Sequence, residues 1–99
     1  MSLGGVSERI HRRRRQVLVH SILYYALDTS VIPDATFDAW AHELAELQAK
    51  HPEISEGVAY MRDAFRGYTG DTGHHLPLKD PRATAVARDL IHHHERKNS

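Results

Sequence analysis

Apolar residues recur every three or four positions along most of this chain, and no segment alternates convincingly at period two. Leu18, Ile22 and Tyr25 fall at i, i+4 and i+7, and Phe37, Trp40, Ala41, Leu44 and Leu47 continue the same rhythm. Ile54, Val58, Met61 and Phe65 form a third set, and Val86, Ala87, Leu90 and Ile91 a fourth. Residues so spaced share one side of a helix, where they must be buried against something. The pattern predicts an all-α fold: a small bundle of about four helices with a helix-turn-helix pair, a helical hairpin, at its centre.

Punctuation sets the expected boundaries. Ser7 suits the cap of a first helix that meets no proline or glycine before Ala26. Residues 28–33 break the pattern, and Pro33 biases Ile32 to extended geometry. Asp34 reads as the cap of a second helix ending at Lys50, and Pro52 as the first turn of a third that runs to about Gly67. Three glycines and Pro77 make residues 67–79 a loop, after which Asp80 and Pro81 open a last helix. The expected organisation is a flexible lead over 1–6, one domain over 7–94 and a flexible tail over 95–99.

With 99 residues there is room for one folded unit, and 40% hydrophobic with 26% charged residues is ordinary for a globular protein. Lysine plus arginine and aspartate plus glutamate both total 13, so no whole-molecule field draws the chain to nucleic acid or membrane. The absence of cysteine excludes disulfides, thiol nucleophiles and thiolate zinc sites. No apolar run is long enough to span a bilayer and no signal peptide is evident, which places the expected location in the cytoplasm.

Several conspicuous features carry little chemistry. Arg12, Arg13, Arg14 and Arg15 point about 100° apart on a helix, so they form no flat basic stripe and offer nucleic acid only weak contact. The runs His74-His75 and His92-His93-His94 lack the i, i+3 or i, i+4 spacing that puts two metal ligands on one helix face, and no metal is expected. Residues 68–73, Tyr-Thr-Gly-Asp-Thr-Gly, lack the Gly-Lys-Ser/Thr ending of a phosphate loop. Asp38 and His42, one turn apart, have the spacing of an acid-base pair but also that of an ordinary surface pair.

The stretch from Tyr24 to Trp40 is denser. A short turn between two helices brings Tyr24 and Tyr25 towards Asp34, Phe37 and Asp38. Two readings fit those residues: core aromatics with capping aspartates, or rings that sandwich a flat heterocycle beside carboxylates that accept from an amide or ribose hydroxyls.

Residues 20–54, HSILYYALDTSVIPDATFDAWAHELAELQAKHPEI, resemble the N-terminal helical domain of bacterial NAD-dependent DNA ligases. There a Tyr-rich helix end and Leu/Met-Asp precede a turn, then Ile-Ser/Pro-Asp-Ala-Glu-Tyr-Asp, then a helix closing on His-Pro-Glu-Leu. In that family the domain closes over the nicotinamide mononucleotide half of NAD and orients it for attack by a lysine of the adjoining nucleotidyltransferase domain. The resemblance implies that Tyr24 and Tyr25 stand for the pair near the nicotinamide and Asp34 and Asp38 for the acidic contacts. Phe37 stands where a tyrosine is usual, and His20 at a position often polar. The family's Lys-x-Asp-Gly motif is missing around Lys50, Lys79 and Lys97, and the Asp-Ser-Pro-Thr continuation is missing after Ile54.

The resemblance therefore implies a freestanding, non-catalytic module of the kind found in phage or prophage genomes, retaining a site for NAD or nicotinamide mononucleotide. The alternative is a protein–protein interaction module, or the detachable subunit of a split ligase, with no retained nucleotide site. Its expected partners are a ligase core, another DNA-metabolism protein or a second copy, and Leu76 and Leu78 are expected to be exposed for them.

Overall fold

A computed structural model describes residues 3–70 and 75–98. The described residues form four α-helices: α1 (Leu3–Ser21), α2 (Asp34–Lys50), α3 (Pro52–Gly57) and α4 (Pro81–Asn98). There is no strand among the described residues, so the all-α expectation holds. α1 lies at the centre, packing against each of the other three helices. His74 and the second half of the 68–73 stretch lie outside the described residues.

α1 begins at Leu3, so Ser7 is an interior residue rather than a cap, and α4 runs to Asn98, past the expected tail boundary. The buried residues of α1 are Ile10, Arg14, Val17, Leu18, Val19 and Ser21. Beyond Ser21 the helix widens by one residue over Ile22–Ala26, where Leu27 N–H donates to Ile22 O at 3.0 Å, five residues back. Ile22 and Leu23 enter the core, whereas Tyr25, the third member of the expected apolar stripe, is 43% exposed. Asp28, at φ 50°, turns the chain away, and Thr29 N–H reaches back to Leu23 O at 2.9 Å. That left-handed residue followed by a six-residue return bond is a helix-ending motif usually made with glycine.

α2 begins at Asp34 itself, after Pro33, and makes no side-chain cap bond; Asp34 is thus its first residue rather than its cap. Ala41 and Leu44 are fully buried against α1, and Arg13 and Arg9 reach across to Glu43. His51 alone separates α2 from α3.

The third helix is much shorter than its apolar spacing predicts. It ends at Gly57, Val58 is extended, and Met61 adopts φ 51°, which no helix accommodates. The physical reason is Arg14. Its guanidinium donates to Ser55 O and Oγ (3.0 and 2.9 Å), Val58 O (2.8 Å) and Tyr60 O (2.9 Å), while Nε donates to Gln48 Oε1 at 2.8 Å. Carbonyls aimed at one buried guanidinium are not aligned along a helix axis, and Gly57 weakens the helix at the point of departure. Residues 60–67 instead form successive turns that place Phe65 in the core, edge-on to Tyr68 at 5.2 Å.

Leu76, 4% exposed, is a core residue, and Leu78 packs against the core; the expectation that both are exposed for a partner is overturned. Asp80 caps α4, its Oδ2 accepting from Ala83 N–H at 2.9 Å, and Pro81 takes the first helical position. Ala83 and Ala87 then close α4 onto α1. No helix among the described residues is long and apolar enough to cross a membrane.

Candidate functional site

The wide turn at the end of α1 decides how the two tyrosines are displayed. Successive α-helical residues diverge by about 100°. A turn with one extra residue narrows that angle, so Tyr24 and Tyr25 leave the helix on the same side. Their rings meet edge to face at 4.9 Å, and they are 57% and 43% exposed. They are the large hydrophobic side chains left most open on the described surface, a placement that folding alone does not favour.

Opposite them stands the start of α2. Pro33 O accepts from Thr36 and Phe37 N–H, which winds the first turn tightly and sets Asp34, Phe37 and Asp38 on adjoining positions of one face. Ser30 folds the connector by donating to Ile32 O at 2.7 Å. The result is a cleft of about 220 Å³ lined by His20, Tyr24, Tyr25, Ser30, Ile32, Asp34, Phe37 and Asp38. The five residues singled out in the sequence, together with His20, therefore share one concavity. Ser30 and Ile32 were missed, because a connector gives no periodic signal of which way its side chains turn.

Neither Asp34 nor Asp38 has a hydrogen-bond or ion-pair partner among the described residues. Two exposed carboxylates facing aromatic rings suit a ligand that is flat, rich in donors or cationic. Asp38 and His42 share no hydrogen bond, so the acid-base pair is not assembled. His20 forms the back of the cleft, half-buried and tilted against Trp40 at 5.4 Å, with the Arg13 guanidinium 5.7 Å from the same indole. Burial pulls the His20 pKa below the usual imidazole value. Its ring therefore presents a neutral donor–acceptor edge at pH 7 rather than a cation that would oppose a positively charged ligand. Among the described residues no group of three or more His, Asp or Glu is placed to hold a metal.

Fold and cleft together define a small all-α binding domain whose recognition surface is an aromatic-acidic corner between two helices. The family of the DNA ligase-like, N-terminal NAD+-binding domain matches residues 4–57, more than half of the chain, and the chain belongs to that family. The DNA ligase of Azotobacter vinelandii is 44% identical over 89 residues, covering 86% of this chain and 11% of the relative. That of Stutzerimonas stutzeri is 42% identical over 93 residues, covering 91% and 12%. That of Roseiflexus castenholzii is 48% identical over 54 residues, covering 54% and 8%. The chain spans about a tenth of the length of these relatives. In the first two the similarity reaches well past residue 57, into the part for which the sequence suggested no family counterpart. No solved structure matches the chain significantly.

Proposed function

We propose that the cleft between the end of α1 and the start of α2 binds the nicotinamide mononucleotide portion of NAD, and that the chain is a non-catalytic presenting module. The observation that carries this reading is the pairing of two exposed tyrosine rings with two carboxylates that have no hydrogen-bond or ion-pair partner among the described residues, around one concavity. An oxidised nicotinamide ring is flat and positively charged. Tyr24 and Tyr25 offer it aromatic faces, and Asp34 and Asp38 supply the opposite charge and acceptors for ribose hydroxyls or the carboxamide. The same carboxylates repel a phosphate, so that end of the nucleotide points out of the cleft. At about 220 Å³ the cleft is below the ~300–1,000 Å³ typical of sites enclosing a drug-sized ligand, which suits half of a dinucleotide and not all of it.

Affinity is accordingly modest, in the micromolar to millimolar range. Lys50, Lys79 and Lys97 have no Lys-x-Asp-Gly context, so adenylyl transfer in this reading depends on a lysine outside these 99 residues. The test is an NMR titration with nicotinamide mononucleotide, NAD and AMP, following the rings of Tyr24, Tyr25 and Phe37. Saturable shifts with the first two and none with AMP at these rings, lost in Asp38→Ala, are expected. Silence at millimolar mononucleotide, or equal response to AMP, overturns the reading. Phe37→Tyr restores a hydroxyl on the cleft wall and is expected to tighten binding several-fold, the worth of about 1 kcal/mol for one added hydrogen bond.

A further inference from the structure

The four consecutive arginines have three kinds of surroundings. Arg14 is buried, Arg13 pairs with Glu43 beside Trp40, and Arg12 and Arg15 have no hydrogen-bond or ion-pair partner among the described residues. Those two are three residues apart, so they project from one side of α1. They line a groove of about 730 Å³ between α1 and α4, in which Val86 and Leu90 are the partly open apolar residues and the core residues Val19 and Val58 lie beneath, almost fully buried. Val86 and Leu90, one turn apart on α4, pack against the core with part of each side chain left open. The α1 wall runs from Ser7 to His20, about 20 Å at 1.5 Å per residue, the length of a short helix.

We propose that this groove docks an acidic amphipathic helix of a partner polypeptide, with aliphatic side chains on Val86 and Leu90 and carboxylates on Arg12 and Arg15. An apolar floor with a charged rim is the arrangement by which helices are received in grooves, and two arginines one turn apart match carboxylates one turn apart on the incoming helix. Arginine forks bind carboxylates in a two-point geometry, which sets register as well as attraction. A nucleic-acid strand fits the same groove less well. Its bases need open aromatic faces, and His11, the aromatic ring on the groove wall beside Arg12, is stacked on Tyr60 at 4.9 Å and 11°. His20 lines both the groove and the nicotinamide cleft, so a helix seated here ends beside that cleft. The groove does not depend on what the cleft binds.

The test uses the full chain and a synthetic helix-forming peptide of about sixteen residues, with leucines at i, i+3, i+4 and i+7 and glutamates between them. A second peptide carries lysine in place of each glutamate, and a short single-stranded oligonucleotide is the third probe. Amide and methyl NMR is expected to show saturable shifts of Arg12, Arg15, Val19, Val86 and Leu90 with the acidic peptide alone, weakening as salt rises. The double variant Arg12→Glu/Arg15→Glu alters exposed side chains and is checked by an unchanged melting temperature. It is expected to reverse the preference at least tenfold, to the lysine peptide, while Asp38→Ala leaves it unmoved. The proposal is overturned by an acidic peptide that leaves the groove unshifted, by oligonucleotide binding in its place, by a preference that survives the charge reversal, or by self-association that the same variant abolishes.

Discussion

Arg14 occupies a core position of α1, four residues after Ile10 and four before Leu18, and it is 1% exposed. Among the described residues no carboxylate pairs with it; its charge is met by three carbonyls, one hydroxyl and one amide oxygen. Burial pushes its pKa down, partly opposed by Glu56 at longer range. Removing the guanidinium leaves those acceptors unanswered in a dry interior, so Arg14→Ala is expected to lower stability by about 3–5 kcal/mol. Arg12→Ala and Arg15→Ala stay within about 0.5 kcal/mol, as exposed substitutions do. Urea titrations of the three variants make the comparison, and equal losses would show that the buried network contributes nothing special. Nothing in four identical consecutive letters marks which arginine is buried. That depends on which way a helix face turns towards carbonyls more than forty positions ahead, and so was not legible in the sequence. Tyr24, Tyr25, Asp34, Phe37 and Asp38 were legible as neighbours, because their chemistry and local spacing are written within one short stretch, whereas Ser30 and Ile32 of the connector were not. His20 makes a prediction of the opposite kind. Its folded pKa lies below the unfolded value near 6.5, so the unfolded chain binds the proton more readily. Stability is complete above pH 6.5 and falls as the pH drops from there towards the folded pKa. The depressed carboxylates Glu46 and Glu56 titrate below 4.5, outside that window. Thermal melts of the wild type and His20→Gln between about pH 7 and 5 are expected to diverge, the variant losing less.

Among the elements, those with local signals were read correctly and those shaped by distant contacts were not. The limits of α2 and the start of α4 follow from Pro33, Pro52, Asp80 and Pro81, whose effects act within a turn. The third helix failed for a tertiary reason: Ile54, Met61 and Phe65 do face the core, but by way of turns imposed around Arg14. The widened end of α1 was equally hidden, since one inserted residue leaves apolar spacing almost intact while moving Tyr25 from core to surface. What ends that turn is Asp28 in left-handed geometry, a conformation costing an ordinary L-residue roughly 1–2 kcal/mol, and aspartate somewhat less. Asp28→Gly is expected to stabilise the chain by up to about 1 kcal/mol, and Asp28→Ala to destabilise it by a similar amount. Both should shift the urea midpoint without changing the slope of the transition. A glycine that destabilises would show that the Asp28 carboxylate, rather than its backbone angle, holds the connector.

At the scale of the whole molecule, the helical hairpin that carries the cleft leans on residues C-terminal to it. All the cleft residues lie between His20 and Asp38, and the family match ends at residue 57. Yet the core that fixes α1 against α2 also contains Val58, Phe65, Tyr68, Leu76, Ala83 and Ala87, and two of the carbonyls on Arg14 belong to Val58 and Tyr60. Gln48 of α2 links the two halves again, donating to Phe65 O at 2.9 Å while accepting from Arg14. A chain ending at Gly57 keeps α1, α2 and α3 but exposes one side of α1 and leaves a charged guanidinium with fewer acceptors. Chains of such length are marginal even with a complete core. The truncated chain is therefore expected to show reduced helicity, a broad non-cooperative melt and poorly dispersed amide resonances, and to lack the shifts that nicotinamide mononucleotide is expected to produce in the full chain. A sharp transition with retained ligand shifts would mean that the hairpin is self-sufficient and that residues 58–98 are an addition to it. The expected failure means instead that the back of the molecule, remote from the cleft, is what holds the two walls of the cleft at their working separation.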